Sequence, residues 1–435
     1  MSLTTNVATS SSSELGARPY RRARNIDVIV IGAGHAGLGM SFRLNKAGIE
    51  HVVLDAGDVG QRWRHERWDS LNLLTPNWTV DLPGKAYSGE AGSEFMPSEF
   101  MHKDVLADYL ESYAGETGAP VKRHSRVHRV RALGSGYEVT TTQGVWHCRS
   151  VVLATGAYAD PIVPNLAQYL PAEMQQLNSR SYKNAGLVEG ERVLVVGGSS
   201  TGLQFAQELN NAGKEVVLAA GEHVRMPRQV AGRDIYYWLD RSGVFWESTT
   251  EVDDLDRARK VPSPQLIGAH QELHLNTMAE QGIEIVGRLV GMNEDKLQFS
   301  GNLSNLCKSA DLKMGRLLRR FQETCPELTD ADIEFSPTEL PKPRLGIKVE
   351  DFDTIVWATG FKPDYSYLDI DVWNRKGQLM HEAGVVAPGL YALGLPLMRT
   401  RASTFIAGAK HDSAALLPHL LHHIGAETPM DLAYA

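Results

Sequence analysis

The first sustained apolar run, "IDVIVI" (26–31), is rich in β-branched residues, the pattern of a strand buried on both faces of a parallel sheet. Glycines punctuate the positions that follow. "AGLGMSFRLNKAG" (36–48) then carries apolar residues at helical spacing until Gly48 closes it. A second run, "IEHVVLD" (49–55), completes a β-α-β unit, whose crossover should be right-handed. The same succession returns in "ERVLVVGGSSTGLQFAQELNNAGKEVVLAAG" (191–221): strand, glycine turn, helix, strand.

Other segments fit around these two units. "GVWHCRSVVLATGAYADPIVP" (144–164) predicts a strand pair and then a loop stopped by Pro161 and Pro164. "FDTIVWATGFKPD" (352–364) and "GVVAPGLYALGLP" (384–396) return to strand character, and "STFIAGAKHDSAALLPHLLHHIG" (403–425) runs into a closing helix. "EVDDLDRARK" (251–260) reads as a solvated helix face and "MGRLLRRFQETC" (314–325) as an amphipathic basic helix on a domain surface. The polar, Ser/Thr-rich start predicts a disordered tail over 1–24. No short tandem repeat is present; the repetition is at the scale of whole nucleotide-binding units.

Composition narrows the class. The 435 residues suit two or three domains, and 43% apolar against 22% charged residues is ordinary for a globular protein. A net charge of −8 argues against a nucleic-acid partner. No apolar run approaches the roughly 18 residues that suggest a membrane span. The three cysteines, Cys148, Cys307 and Cys325, form no C-x-x-C pair, which excludes a local redox disulfide, makes a thiolate metal site unexpected and fits a cytoplasmic setting. His419, His422 and His423 share a helix but lack an acidic partner motif, so they read as a polar helix end and no metal is expected.

The chemistry lies in the glycine turns. Gly32, Gly34 and Gly37 form G-x-G-x-x-G between strand and helix: a tight turn, an approach path for a diphosphate and close helix–strand packing. Exposed amides and the helix dipole then hold the anion. Asp55, at the tip of the next strand, is placed to accept ribose hydroxyls. In the second unit Gly197 and Gly202 keep the outer positions and Ser199 takes the middle one, with Ser200 and Thr201 as further hydroxyl donors. No carboxylate stands directly at its second strand tip. Arg225 and Arg228 follow, with His223 close by, a setting suited to the 2′-phosphate of NADPH, although Glu222 opposes that choice and plain surface charge is the competing reading. Two dinucleotide sites on one chain imply hydride transfer from a nicotinamide to a flavin.

At these motifs the chain resembles the class B flavin-dependent monooxygenases, two-dinucleotide-domain flavoproteins, from about residue 24 to 424. "GAGHAG" with Asp55 is similar to their FAD fingerprint, which more often ends in Glu. "GDVGQRWRHERWDSLNLLTPNWTVDLP" (57–83) resembles the segment near the flavin ring, and "VVLATGAYADP" with "IVWATGFKPD" resembles the paired ATG segments that join the domains. The resemblance implies that Arg62, Trp63, Thr155, Gly156, Thr359 and Gly360 line the cofactors. It implies that an Asn near the flavin, Asn77 or else Asn72, hydrogen-bonds the reacting oxygen. One departure stands out: in the register of the family's motif before the second glycine turn, only Tyr182 survives, with Asn178 where a His is usual.

The expected architecture is α/β, two Rossmann-like three-layer domains, with the NADP domain (176–340, including a mixed region) inserted in the FAD domain (25–175 and 341–435). The implied activity is that of an FAD- and NADPH-dependent monooxygenase acting through a C4a-hydroperoxyflavin on a small molecule, with dioxygen as co-substrate, as a homodimer. Two other readings stay open: a flavin reductase or oxidase, and a nucleotide-sensing protein without turnover. Arg399, Thr400 and Arg401 are candidates to approach the flavin or a substrate carboxylate, with a basic surface loop as the equal alternative.

Overall fold

A computed structural model describes residues 23–89 and 94–427. The expected N-terminal tail lies, through residue 22, outside the described residues.

Two sheets, the first mixed and the second wholly parallel, organise the chain. In the first, the wholly apolar end of the strand Arg24–Ile31 lies between His51–Leu54 and Gly144–Leu153, parallel to both. Gly144–Leu153 is long enough to serve two neighbours. Its first half pairs antiparallel with Gly136–Thr141, which continues to Val127–Leu133; its second half pairs parallel with Leu390–Ala392. The C-terminal segment therefore completes the sheet begun at the N-terminus. The helices His35–Lys46, Lys103–Glu116 and Ile406–His423 contribute to the same apolar core.

The second sheet runs Gln175–Asn178, Thr354–Trp357, Arg192–Val196, Glu215–Ala220, Glu284–Gly287, all parallel. Side chains alternate between its faces, and each face has its own cover. Val193, Val195 and Leu218 pack against Phe205, Leu209, Met278 and Cys307 from helices on one side. Leu194, Val196 and Val217 pack against Leu297, Phe299 and Ile347 from a small antiparallel sheet on the other. Two Rossmann-like units, one inserted in the other, are thus the observed α/β fold.

The sequence division at residue 340 differs from this pairing. Thr354–Trp357, allotted to the first domain, is a central strand of the second sheet. Trp68 and Leu71, also allotted to the first domain, are buried in the second core, where Trp68 meets Phe205 edge-on at 4.9 Å. The mixed region builds a core of its own. Ile235, Trp238, Phe245 and Phe321 gather there with Ala402, and Phe405 packs on it beside Phe245 at 5.0 Å. The basic stretch expected at 314–325 is the second half of a 22-residue helix, Leu303–Thr324, that turns Met314, Leu318 and Phe321 inward. "EVDDLDRARK" supplies only the single turn Leu255–Ala258. No helix among the described residues is long and apolar enough to cross a membrane.

Burial lowers the pKa of three imidazoles, His35, His274 and His381, from 6.5 to about 4. Between those values the unfolded chain binds protons that the native chain excludes. Stability from this source is complete above about 6.5 and is lost as pH falls toward 4. The apoprotein's melting temperature should therefore drop across that window. His274→Asn, which keeps a side-chain acceptor for the Thr277 amide it now caps, should flatten the slope by about one proton. Melting curves of both proteins from pH 7 to 4 make the comparison; an unchanged slope contradicts the assignment.

Candidate active site

The two glycine turns are built alike. Gly32 (φ +111°) and Gly197 (φ +134°) adopt backbone angles that favour glycine, and both lie against the neighbouring strand. A Cβ on Gly32 would stand 2.5 Å from the carbonyl oxygen of Ala154; one on Gly197 would stand 2.2 Å from that of Ala358. These alanines open the two ATG segments. Each ATG segment therefore backs its own glycine turn, fixed by a backbone bond from Ala154 N to Ile31 O or from Ala358 N to Val196 O, both 2.9 Å. The last glycines are equally constrained: a Cβ on Gly37 would lie 1.9 Å from Gly32 O, and one on Gly202 1.8 Å from Gly197 O.

The middle positions differ in kind. Gly34 faces open space where a side chain would be. Gly34 and Ser199 are the N-caps of the helices His35–Lys46 and Ser200–Asn211, and neither provides a side-chain cap. Each helix start thus keeps amides oriented for an anion. Ser200 is buried and its hydroxyl donates to Leu266 O, so it braces the loop. Gln265, also buried, braces the loop through Gly198 O at 2.7 Å. Ser199, Thr201, Gly197, Thr359 and Gly360 line a cleft of about 1740 Å³.

Asp55 stands beside the first turn and accepts the amides of Ala33 (2.7 Å) and Gly57 (2.9 Å). Burial raises its pKa, opposed by these bonds and by Arg62. A carboxylate has about four acceptor positions, so room remains for a ribose hydroxyl. Arg62 donates to Thr155 O at 2.9 Å, which ties the segment after Asp55 to the first ATG. Gly156 and Gly360, at φ +75° and +91°, end the two ATG turns. Beyond them Asp160–Pro161 and Phe361–Lys362 pair antiparallel, joining the two crossings between domains. Trp63 packs against both domain cores and lines the cleft.

Two expectations need correction. Arg225 and Arg228 do not line the cleft; both are buried and already engaged. Arg225 pairs with Asp311 at 2.8 Å and donates to Ser336 O and Thr338 Oγ1. Arg228, fully buried, pairs with Asp234 at 2.6 Å and donates to Leu74 O and Ile267 O. Withdrawing either cation would leave a buried carboxylate uncompensated. Among the cations that do line the cleft is Arg288, just beyond the strand Glu284–Gly287, exposed and without an ion-pair partner among the described residues. Its side chain runs beside Gly221, at the tip of the neighbouring strand. Only tertiary pairing brings that position to the nucleotide turn.

The two asparagines also change rank. Asn77 is buried in a short turn behind the cleft, and its amide donates to Met96 O at 3.0 Å. Asn72 lines the cleft beside Leu73. Arg399 and Arg401 are likewise occupied: Arg399 donates to Ala383 O, and Arg401 shares Glu247 with Arg320. Asn178 caps the turn after its strand through the amides of Arg180 and Ser181. Tyr182 is fully buried, with its hydroxyl on Glu208 at 2.9 Å.

Residues 29–240 match the family described as pyridine nucleotide-disulphide oxidoreductase. The chain is 29% identical over 402 residues to an uncharacterized CzcO-like oxidoreductase of Geobacillus kaustophilus, covering 92% of this chain and 99% of that protein. It is 27% identical over 408 residues to a protein of Oryza sativa subsp. japonica named indole-3-pyruvate monooxygenase YUCCA4, covering 84% and 82%. Among solved structures, a flavin-containing monooxygenase from Stenotrophomonas maltophilia matches with a TM-score of 0.63 at 21% identity, covering 92% and 99%. With the paired glycine turns and ATG segments, these likenesses show the fold of a two-dinucleotide-domain flavoprotein and support its similarity to the class B flavin-dependent monooxygenases. It is an oxidoreductase dependent on FAD and NADPH. The turns fit both groups, since each leaves an uncapped helix start, the first with open space beside Gly34 and the second with only the small Ser199 at the middle position.

The glycine contacts predict separable defects. Gly37→Ala should cost the protein its bound flavin and spare NADP⁺ binding to the second unit. Gly202→Ala should do the reverse. The flavin visible spectrum of the purified protein and an NADP⁺ titration read the two; loss of both ligands in both variants would contradict two independent cradles.

Proposed function

We propose that this chain is an NADPH-dependent FAD monooxygenase that transfers one atom of dioxygen to a soft nitrogen, sulfur or activated carbon atom of a small molecule. One observation carries the reading. Two dinucleotide cradles occur together, yet all three cysteines are free and buried, and Cys148 and Cys307 have pKa values pushed up by burial to about 12 and about 11. Electrons leaving the flavin have no protein thiolate to enter, which removes disulfide reduction as the outlet.

Bound FAD supplies hydride acceptance and dioxygen chemistry. The residues of the chain bind, orient and exclude water. The turn Gly32–Gly37 and Asp55 hold the flavin nucleotide, with Arg62, Thr155 and Gly156 fixing the wall behind it. The turn Gly197–Gly202 and Thr359–Gly360 hold the reductant's diphosphate, and Arg288 takes its 2′-phosphate. Trp63 and Leu395 wall the cleft against water, and Asn72 offers an amide to the oxygen being transferred.

The purified protein should carry FAD, or take it up, and oxidise NADPH in air. With an accepted substrate, ¹⁸O₂ should label the product with one atom. A protein that cannot retain flavin contradicts the reading, and peroxide release equal to NADPH consumption with every nucleophile tried would make it an oxidase. Arg288→Gln should raise KM for NADPH about tenfold and leave KM for NADH unchanged in steady-state assays, the pattern of a lost charge-assisted phosphate contact.

A further inference from the structure

Along the cleft, two segments far apart in sequence meet. One is 255–263 and the other is 373–381; the ion pair Asp256–Lys376 (2.9 Å) joins them. Arg259 and His381 line the cleft here. Arg259 donates through Nη2 to Leu397 O at 3.2 Å, while its Nε is shut from solvent with no partner. His381 Nδ1 is in the same condition. Burial lowers the pKa of both groups, and Arg259 pushes His381 further down, so a guanidinium and a neutral imidazole share this corner. Trp373, Leu379 and Pro396 form the adjoining wall.

Arg259 Nη1 and His381 Nε2 also make no hydrogen bond among the described residues but, unlike those two sealed atoms, are open to solvent, so they are the donors a ligand in the cleft can reach. We infer that Arg259 and His381 form the anchor for a substrate carboxylate whose flat apolar body lies against Trp373; this rests on the monooxygenase reading and names its substrate class. A guanidinium fork matches the two oxygens of a carboxylate, and a neutral imidazole supplies one further N–H donor. The diphosphate of the reductant belongs at the uncapped helix start after Ser199. The only acidic side chain joining these two segments, Asp256, is already paired with Lys376, so the corner keeps a positive balance. The site is incomplete to sequence inspection because its two halves are more than a hundred residues apart.

The test reads binding alone. FAD-loaded protein saturated with NADP⁺ is titrated calorimetrically with 3-phenylpropionate and with 3-phenylpropionamide. The acid should bind at least tenfold more tightly than the amide. Arg259→Gln should remove that preference while the affinities for the amide and for NADP⁺ stay within twofold. His381→Asn, a milder change that tests the same corner should Arg259→Gln fail to retain FAD, should weaken the acid alone by a smaller factor. Equal binding of acid and amide, no binding of the acid, or a loss of NADP⁺ affinity in Arg259→Gln in place of acid affinity would each overturn the inference. A protein that binds the acid selectively but oxygenates nothing would keep this anchor and refute the catalytic reading instead.

Discussion

The contact on which the structure depends is between backbones: each glycine turn rests directly on an alanine carbonyl of the adjacent ATG segment. Gly32 against Ala154 and Gly197 against Ala358 are approaches that a Cβ would forbid. Because the turn lies so close to its neighbour, its amides are directed outward, and the helix that follows begins without a side-chain cap. An anion-binding surface results from the lack of side chains rather than from any particular one. The backbone hydrogen bonds Ala154–Ile31 and Ala358–Val196 set the depth at which each strand stops. Strand ends, turn and helix start are one constraint.

The same two ATG segments couple the units. Past Gly156 and Gly360 their tails pair antiparallel with each other, so the two ATG turns are joined through backbone pairing. Arg67 spans this junction, its guanidinium 5.7 Å from the Trp63 ring and 5.3 Å from that of Phe361, and burial lowers its pKa to about 10. Stacking between two ring faces lets a cation stay in a poorly solvated place. On the far side, Phe405 before the closing helix packs on the core made by the mixed region.

Much of this was legible in the sequence, and the reason is local. A G-x-G-x-x-G turn, its flanking strands and its helix are contiguous, so their periodicity and glycine spacing carry the whole unit. What was not legible depends on partners distant in the chain. Arg225 looks like a phosphate ligand until Asp311 and Thr338 are brought beside it; Arg228 looks free until Asp234 and Leu74 close over it. Asn77 follows a proline and precedes a tryptophan, yet Met96 claims its amide and Asn72 reaches the cleft. The strand Thr354–Trp357 reads as a strand from its residues, but nothing in "DTIVWATG" says which sheet it joins.

The distribution of arginines explains why charge counting along the chain misleads about the cleft. Those that look conspicuous in sequence, 225, 228, 399 and 401, are held by carboxylates or carbonyls and secure loops. Arg288 and Arg259, which look incidental, line the cleft without a carboxylate partner among the described residues. Trp63, Trp68, Leu71 and Leu395 give the same cleft apolar wall. An apolar wall strengthens the field of a charge left unpaired beside it.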